Sequence, residues 1–200
     1  MTSSEGHSGA DRPEAVLVRH GETAWTISGQ HTGRTDIPLT DAGRHQAEKL
    51  APRLAQRRFA LVLTSPLSRA RETCRLAGPG DVAVVSDDVL EWDYGAYDGR
   101  TTAEIRAEHP GWSLWTDGVP GGETAADVGR RADRVIQRLR AVEGDSAVFS
   151  HGHFLRVLAA RWVDLPPTDG RLFALGPASI SVLGWEREQP VFSLWNDTVD

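Results

Sequence analysis

Five side chains that could take part in chemistry each follow closely on a segment predicted to be a buried strand. They are two arginines, two histidines and one glutamate, namely Arg19, His20, Arg69, Glu91 and His151. Arg19 and His20, for example, come directly after the apolar, β-branched run 15–18, which is typical of a short strand. Because ligands of open α/β sheets bind in the crevice outside the carboxyl ends of the strands, we expect the five side chains to form one site.

These residue types suit the binding and transfer of a phosphoryl group. A phosphate monoester carries about two negative charges near neutral pH, and its transfer is catalysed mostly by positioning and charge neutralisation. Arg19 and Arg69 could each bind phosphate oxygens with two parallel hydrogen bonds. His151 would add a donor if it is protonated. Gly152 could add a backbone N–H at the start of a helix, where the dipole favours anions.

His20 and Glu91 are the candidates for the covalent step and the proton transfers. A neutral nitrogen of His20 would attack phosphorus and hold the phosphoryl group as a covalent intermediate. Glu91 would protonate the departing oxygen and then deprotonate a water molecule. We expect the nearby rings of Trp92 and Tyr94 to favour the protonated carboxylic acid that this role requires, whereas the two arginines would favour the charged form.

Several of these residues also have plausible structural roles, and other residues could replace them. Glu91 could be a helix cap, and Asp87, Asp88 or Asp93 could be the acid instead. His153 is expected to be structural. Three further histidines are expected to be exposed to solvent: His7, His45 and His109. Four aromatic residues could equally belong to the core or stack against a substrate: Trp92, Tyr94, Trp112 and Trp115.

A metal centre is the main chemical alternative to a phosphate site. His20, His151, His153 and Glu91 could form a zinc-binding set by residue type. Arginines beside them would repel a cation, so we predict no metal ion and no other cofactor.

The elements that would position these side chains alternate between strands and helices. Apolar runs predict strands over residues 15–18, 59–63, 82–85 and 147–149, and an edge hairpin over residues 180–185 and 191–195. Helices are predicted from Thr40 to near Arg57 with a kink or break at Pro52, from Pro66, from the capping box Thr101–Glu104, and over residues 123–142 and 154–162. Residues 21–38 and 111–122 are predicted to be loops. This alternation predicts an α/β fold, a three-layer α/β/α sandwich with a mostly parallel mixed sheet.

The composition suits one soluble domain. The chain has 200 residues and a net charge of −6, which argues against a general nucleic-acid-binding surface. No apolar run is long enough to span a bilayer. Residues 1–13 are polar and are predicted to be a disordered leader before a single domain of residues 14–200. Cys74 is the only cysteine, which excludes an internal disulfide and fits a reducing cytoplasm.

Four motifs, taken in order, resemble the signature of the histidine phosphatase (phosphoglycerate mutase-like) superfamily. They are Arg-His-Gly-Glu from Arg19, Ser-Pro-x-x-Arg-Ala-x-x-Thr from Ser65, Leu-Glu-x-x-x-Gly-x-x-x-Gly from Leu90 and Ser-His-Gly-His from Ser150. The resemblance implies a phosphoglycerate mutase-like fold, with Thr32 and Gly33 lying over the phosphate. Thr26 stands where many members carry Asn, and its hydroxyl would keep a phosphate contact.

The resemblance is compatible with two closely related reactions. A phosphatase transfers the phosphoryl group to water, whereas a mutase returns it to a bound acid. Mutases of this superfamily carry a longer, basic segment after the catalytic Glu, whereas residues 99–122 are short and hold no lysine and no adjacent arginine pair. The run Glu-Trp-Asp-Tyr-Gly-x-Tyr-x-Gly from Glu91 instead resembles broad acid phosphatases and sedoheptulose-bisphosphatase-like members.

We therefore predict a phosphomonoesterase that hydrolyses small phosphate esters, such as sugar phosphates, through a phosphohistidine. A cofactor-dependent phosphoglycerate mutase is the second candidate, and a non-catalytic phospholigand-binding protein is the third. The expected partner is a small phosphorylated metabolite rather than nucleic acid or membrane, and a homodimer is left open.

Overall fold

A six-stranded sheet forms the centre of the computed structural model, which describes residues 12–198. Its strands are β1 (Ala15–Arg19), β2 (Phe59–Thr64), β3 (Val84–Val85), β4 (Asp145–Ser150), β5 (Ser179–Glu186) and β6 (Gln189–Thr198). They lie in the order β3-β2-β4-β1-β5-β6. The first four are parallel to one another, and β5 and β6 are antiparallel to their neighbours. The prediction of a mostly parallel mixed sheet with a hairpin at one edge is confirmed.

Helices cover both faces of this sheet. They are α1 (Ala24–Ser28), α2 (Asp41–Leu54), α3 (Ser68–Leu76), α4 (Thr102–Glu108), α5 (Leu114–Asp117), α6 (Ala125–Arg140) and α7 (Gly152–Trp162). Side chains alternate between the two faces of β1, because successive residues of a strand point to opposite sides. Val16 and Val18 pack with Leu50 of α2 on one face, whereas Leu17 packs with Val135 of α6 and with α7 on the other. The three-layer α/β/α arrangement is thereby confirmed.

Some element boundaries differ from the predicted ones. The predicted strand over residues 82–85 is wrong at its start, because Pro79–Val82 form a turn of 3-10 helix and only Val84 and Val85 pair with β2. Helix α3 begins at Ser68, so Pro66 lies before its first turn. Pro52 lies inside the last turn of α2, which ends at Leu54 without breaking earlier.

Two short helices lie in segments that were predicted to be loops. Helix α1 is fixed by a capping box in which Thr23 and Thr26 exchange hydrogen bonds, and it ends at Gly29 in the left-handed conformation, φ +76°. Helix α5 starts from a Ser113 side-chain cap. Both are too short to show helical periodicity, so only the caps reveal them. The predicted Thr101–Glu104 box does cap α4.

The predicted exposure of His45 and His109 is confirmed. His7 lies outside the described residues, and the division between a leader of residues 1–13 and a domain of residues 14–200 stays a prediction. Among residues 12–198, no helix combines the length and apolar character needed to cross a bilayer.

Candidate active site

The carboxyl ends of β1 and β4 bring two histidines together. These strands are parallel neighbours with Arg19 opposite Ser150, and the His20 N–H donates to the Ser150 carbonyl at 3.1 Å. The next residues, His20 and His151, therefore lie side by side, with ring centroids 5.2 Å apart. A cavity of about 200 Å³ opens at this edge of the sheet. Six of the predicted site residues line it: Arg19, His20, Thr26, Thr32, Glu91 and Gly152.

His20 is held as a neutral imidazole with one nitrogen available. Its Nδ1 lies 2.8 Å from the Gly21 carbonyl oxygen, which can only accept, so Nδ1 carries the proton and Nε2 keeps its lone pair. Burial, followed by the charges of Arg69 and Arg19, lowers the pKa of His20 well below its usual value. The lowered pKa favours the neutral ring that a nucleophile requires.

Gly21 and Gly43 allow the chain after β1 to pack directly on the first turn of α2. A Cβ on Gly21 would lie 2.3 Å from the Gly43 oxygen, and a Cβ on Gly43 would lie 2.1 Å from the Glu22 oxygen. The Gly21 N–H also donates to Thr73 Oγ1 of α3 at 3.1 Å. These contacts fix the backbone that orients the His20 ring.

Arg69 is fully buried, and its hydrogen bonds organise the site from beneath. Its Nε donates to His151 Nδ1 at 3.2 Å, and its terminal nitrogens donate to the carbonyls of Thr32, Gly33 and Thr35. Because Nδ1 accepts, Nε2 of His151 carries the proton and lies 2.8 Å from Ser65 Oγ.

Burial, followed by the charge of Arg69, also lowers the pKa of His151 well below its usual value. His151 is thus neutral in this arrangement, in contrast to the cationic donor considered from the sequence.

Gly33 and Thr26 have other partners than those predicted. The Gly33 N–H donates to Asp98 Oδ1 at 2.7 Å and its carbonyl accepts from Arg69, and Gly33 does not line the cavity. The placement of Gly33 over the phosphate stays a prediction. Thr26 lines the cavity, but its hydroxyl donates to the Thr23 carbonyl at 2.8 Å within the α1 cap.

Arg19 and the start of α7 form the part of the cavity best suited to an oxyanion. The Arg19 Nε is buried and has no hydrogen-bond partner within residues 12–198, so an anion bound there would supply an acceptor. A Cβ on Gly152 would lie 3.3 Å from the Arg19 guanidinium carbon, so the absence of a side chain lets Arg19 pack against the helix start. The N-terminus of a helix favours negative charge at the same point.

Glu91 is the only carboxyl side chain among the residues that line the cavity. Its Oε1 accepts from the Trp92 and Phe154 backbone N–H groups at 2.9 and 2.8 Å, and its Oε2 accepts from the His153 N–H at 3.0 Å. These three hydrogen bonds fix the orientation of the carboxyl group in the cavity. The protonation state expected of the catalytic acid stays a prediction.

The alternative acids from the sequence lie elsewhere. Asp88 pairs with Arg134 on α6, and Asp93 accepts from the Gly95 N–H at 3.0 Å and lies 3.4 Å from Arg34. Asp87 does not line the cavity either. Glu91 is accordingly the better placed of the four carboxyl groups.

Arg131, which the sequence did not single out, holds the segment that carries Glu91. Its guanidinium donates to the carbonyls of Asp88, Leu90 and Glu91 at 2.9 to 3.2 Å and pairs with Glu123 at 2.8 Å. The Glu123 backbone carbonyl accepts in turn from the Trp92 indole at 2.8 Å. Burial raises the pKa of Glu123, but Arg131 outweighs it and the pKa is lowered overall. Helix α6 thus positions the candidate acid.

Replacing Arg131 with Met is expected to destabilise the protein by about 3 kcal/mol. The partly buried Glu123 would keep only the more distant Arg34, at 4.0 Å, as a charged partner, and three carbonyls would lose a donor. Urea unfolding measures this loss. The neighbouring variant Arg130→Gln is the matched control, since Arg130 is exposed and pairs only with Asp127, so its effect should stay below about 0.5 kcal/mol. Equal losses of unfolding free energy in the two variants would contradict the role of Arg131 in holding the segment that carries Glu91.

The aromatic residues near the site divide into core and cavity. Trp92, Tyr94 and Trp112 are all buried, and Tyr94 is the one of the four that lines the cavity. The Tyr94 hydroxyl lies 2.6 Å from His153 Nδ1. Trp115 packs behind the His153 ring at 5.4 Å. His153, predicted to be structural, therefore forms part of the cavity wall.

Six further residues line the cavity and were not predicted. They are Trp25, Gly29, Gln30, His31, Arg156 and Leu175. Arg156 lies one turn after Gly152 on the same helix face, a spacing that the sequence displayed, and its guanidinium stacks over Trp115 at 4.7 Å. Gln30 and His31 belong to the turn after α1, which shows no periodic pattern.

Within residues 12–198, no group of three or more His, Cys, Asp or Glu side chains is arranged to hold a metal ion.

A neutral imidazole between buried arginines at the ends of parallel strands, with a carboxyl group in the same cavity, defines a protein that handles phosphate esters. The family model described as the histidine phosphatase superfamily (branch 1) matches residues 15–198, and the chain belongs to this superfamily.

Comparisons with individual proteins agree with this assignment. The chain is 44% identical over 175 residues to a protein of Mycobacterium tuberculosis named acid phosphatase, covering 86% of each chain. It is 37% identical over 186 residues to sedoheptulose 1,7-bisphosphatase of Saccharomyces cerevisiae, covering 76% of this chain and 68% of the relative. A solved structure of a Mycobacterium tuberculosis open reading frame product superposes with a TM-score of 0.88 at 40% identity, covering 93% of this chain and 98% of that one.

Proposed function

We propose that this chain is a phosphomonoesterase that hydrolyses small phosphate esters through a phosphohistidine on His20. The observation that carries the proposal is the state of His20, which is neutral, buried and bonded through Nδ1 so that Nε2 remains available at the cavity. Membership of the histidine phosphatase superfamily supports the same reaction.

The site residues have distinct roles in the proposed reaction. The phosphate binds in the cavity beside the Arg19 guanidinium, the first turn of α7 and His20. His20 Nε2 attacks phosphorus as the bond to the ester oxygen breaks, and Glu91 gives its proton to that oxygen. Glu91 then removes a proton from a water molecule, which attacks the phosphohistidine. Inorganic phosphate leaves and His20 is neutral again.

We further propose sugar phosphates or similar metabolites as the substrates. Two relatives support this, since one is named an acid phosphatase and the other a bisphosphatase of sedoheptulose. The wall of the cavity away from Arg19 also fits a polyol, because Gln30, His31 and His153 present neutral groups that can donate or accept hydrogen bonds.

A phosphoglycerate mutase is less well supported. Such an enzyme needs basic side chains to bind the carboxylate of its substrate, and the segment 99–122 does not deliver them to the cavity. Arg100 pairs with Glu108 at 2.6 Å, and Arg106 donates to the Trp112 carbonyl at 2.8 Å. Neither lines the cavity. A non-catalytic ligand-binding role is disfavoured because the nucleophile, the acid and the arginines are all present.

The proposal is tested by measuring two activities on one preparation. Release of inorganic phosphate from sugar phosphates is expected to exceed interconversion of 3- and 2-phosphoglycerate. Both assays contain EDTA, and activity should persist, since the proposed steps use side chains alone. Faster mutase turnover than phosphate release on every ester would assign the chain to the mutases, and loss of activity in EDTA that zinc restores would favour a metal mechanism.

Two further proposals concern the cellular location of the chain and its assembly. We propose a cytoplasmic location because the Cys74 thiol is buried in the core and burial raises its pKa to about 12, which keeps it unreactive without a disulfide partner. A homodimer would have a candidate surface in Val82, Val84 and Val85, which are exposed at the β3 edge of the sheet.

A further inference from the structure

A second cavity lies at the opposite end of β1 from the active site. It has a volume of about 280 Å³ and borders Ala15, the first residue of the strand, whereas His20 follows the last. With a rise of about 3.3 Å per residue, the strand separates the two cavities by roughly 13 Å. The two cavities share no lining residue. A ligand of this second cavity would therefore not contact the catalytic groups.

Two tryptophan rings form the apolar wall of this cavity. Trp162 of α7 and Trp185 of β5 lie with their centroids 5.2 Å apart at an angle of 60°. Both indole N–H groups are already used, by the Gly184 carbonyl at 3.2 Å and the Pro13 carbonyl at 3.3 Å. These bonds hold the rings in place. Trp162 is only 2% exposed, so the half-buried Trp185 supplies most of the ring surface of this wall. The wall is thus pre-organised for a flat apolar group.

Two arginines add positive charge at the same wall. The guanidinium carbons of Arg12 and Arg140 lie 4.7 and 5.1 Å from the centre of the Trp185 ring. Neither arginine forms an ion pair within residues 12–198. Glu14 also borders the cavity, but its carboxylate pairs with Arg57 at 2.9 Å. Arg140 also lies 4.8 Å from the centre of the Trp162 ring and donates to the Trp162 carbonyl at 3.4 Å. An anionic group near the two guanidinium groups would offset their positive charge.

We propose that this cavity is a second ligand site, which binds a flat aromatic ring bearing an anionic group. The ring packs against the half-buried Trp185, and the anion is bound by Arg12 and Arg140. This second site differs from the phosphate site because its ligand must carry an aromatic ring as well as a negative charge.

The probe that tests this is 2-naphthoate, compared with the uncharged 2-naphthamide. Neither is a phosphate ester, so neither can be turned over, and calorimetry measures both affinities. Naphthoate is expected to bind roughly tenfold more tightly than naphthamide, the effect of one charge-assisted contact. Arg140→Gln should remove that difference in affinity, and Trp185→Leu should weaken the binding of both compounds. Saturation with vanadate, a phosphate mimic, should leave the binding of naphthoate unchanged.

Arg130→Gln is the matched control, because Arg130 lies on the same helix α6 but pairs with Asp127 away from this cavity. It should bind both compounds as the unmodified protein does, and both arginine variants should retain phosphatase activity. The proposal is overturned if naphthoate does not bind at millimolar concentration, if vanadate displaces it, or if Arg140→Gln leaves the preference for naphthoate intact. In the last case the arginines and tryptophans only hold the chain before β1 against the sheet.

Discussion

The variant His20→Ala is expected to release inorganic phosphate from phosphate esters at least about a thousandfold more slowly than the unmodified protein. The neighbouring His151 is not placed to replace it, since His151 Nδ1 accepts from Arg69 and its Nε2 lies against Ser65. The fold should survive, because the fixed backbone around Gly21 does not depend on the ring. Phosphate release and thermal unfolding, measured side by side, separate loss of chemistry from loss of structure.

His45→Ala serves as the control for this variant, since His45 is exposed on α2 and should keep full activity. In the unmodified protein, rapid quenching during turnover should trap a label on His20 that acid removes and base does not. A label on any other residue, or near-normal turnover by His20→Ala, would refute the phosphohistidine mechanism.

Glu91→Gln is expected to slow turnover by roughly 10²- to 10⁴-fold for esters with poor leaving groups such as sugar alkoxides. The loss should be much smaller for nitrophenyl phosphate in the first step, because nitrophenolate departs without a proton. Deprotonation of water in the second step also needs Glu91, so the phosphohistidine should then accumulate. Burst kinetics with nitrophenyl phosphate, set beside steady-state turnover of a sugar phosphate, measures both effects.

Asp93→Asn is the comparison for Glu91→Gln. Asp93 precedes the short turn at Gly95 and pairs with Arg34 rather than lining the cavity, so its loss should leave the dependence on the leaving group unchanged. If Glu91→Gln slows all esters equally while Asp93→Asn slows poor leaving groups selectively, the roles assigned here are reversed.

The sequence was sufficient to predict which residues gather at the sheet edge. Arg19, His20 and His151 follow recognisable strands, and parallel pairing of β1 with β4 brings them together without any further specification. The detailed roles of the site residues depend on hydrogen bonds, and the partners in these bonds cannot be read from the residue types. Gly33 is an example, because its N–H binds Asp98 and its carbonyl binds Arg69, partners 65 and 36 residues away.

Residues that act through backbone carbonyls were the hardest to predict. Arg131 occupies a long amphipathic helix, where an arginine is usually solvated, yet its donors reach the carbonyls on either side of Glu91. Those acceptors exist in every peptide unit, so nothing in the sequence distinguishes the ones that it binds. Arg156 was missed for a different reason, since its place in the cavity wall depends on the path of the chain around Gly170, whose carbonyl accepts from its Nε at 3.0 Å.

Gly21 and Gly43 divide the active site into a part that tolerates substitution and a part that does not. A side chain at either glycine would meet backbone oxygen at 2.3 or 2.1 Å, and backbone cannot move aside as a flexible side chain can. A second mutation nearby therefore offers no compensation, and the segment that carries the nucleophile can change very little in descendants of this chain. Thr26, Gln30 and Arg156 contribute side chains to the opposite wall and carry no such restriction. New substrates would thus be acquired by exchanging that wall around an unchanged phosphoryl-transfer centre.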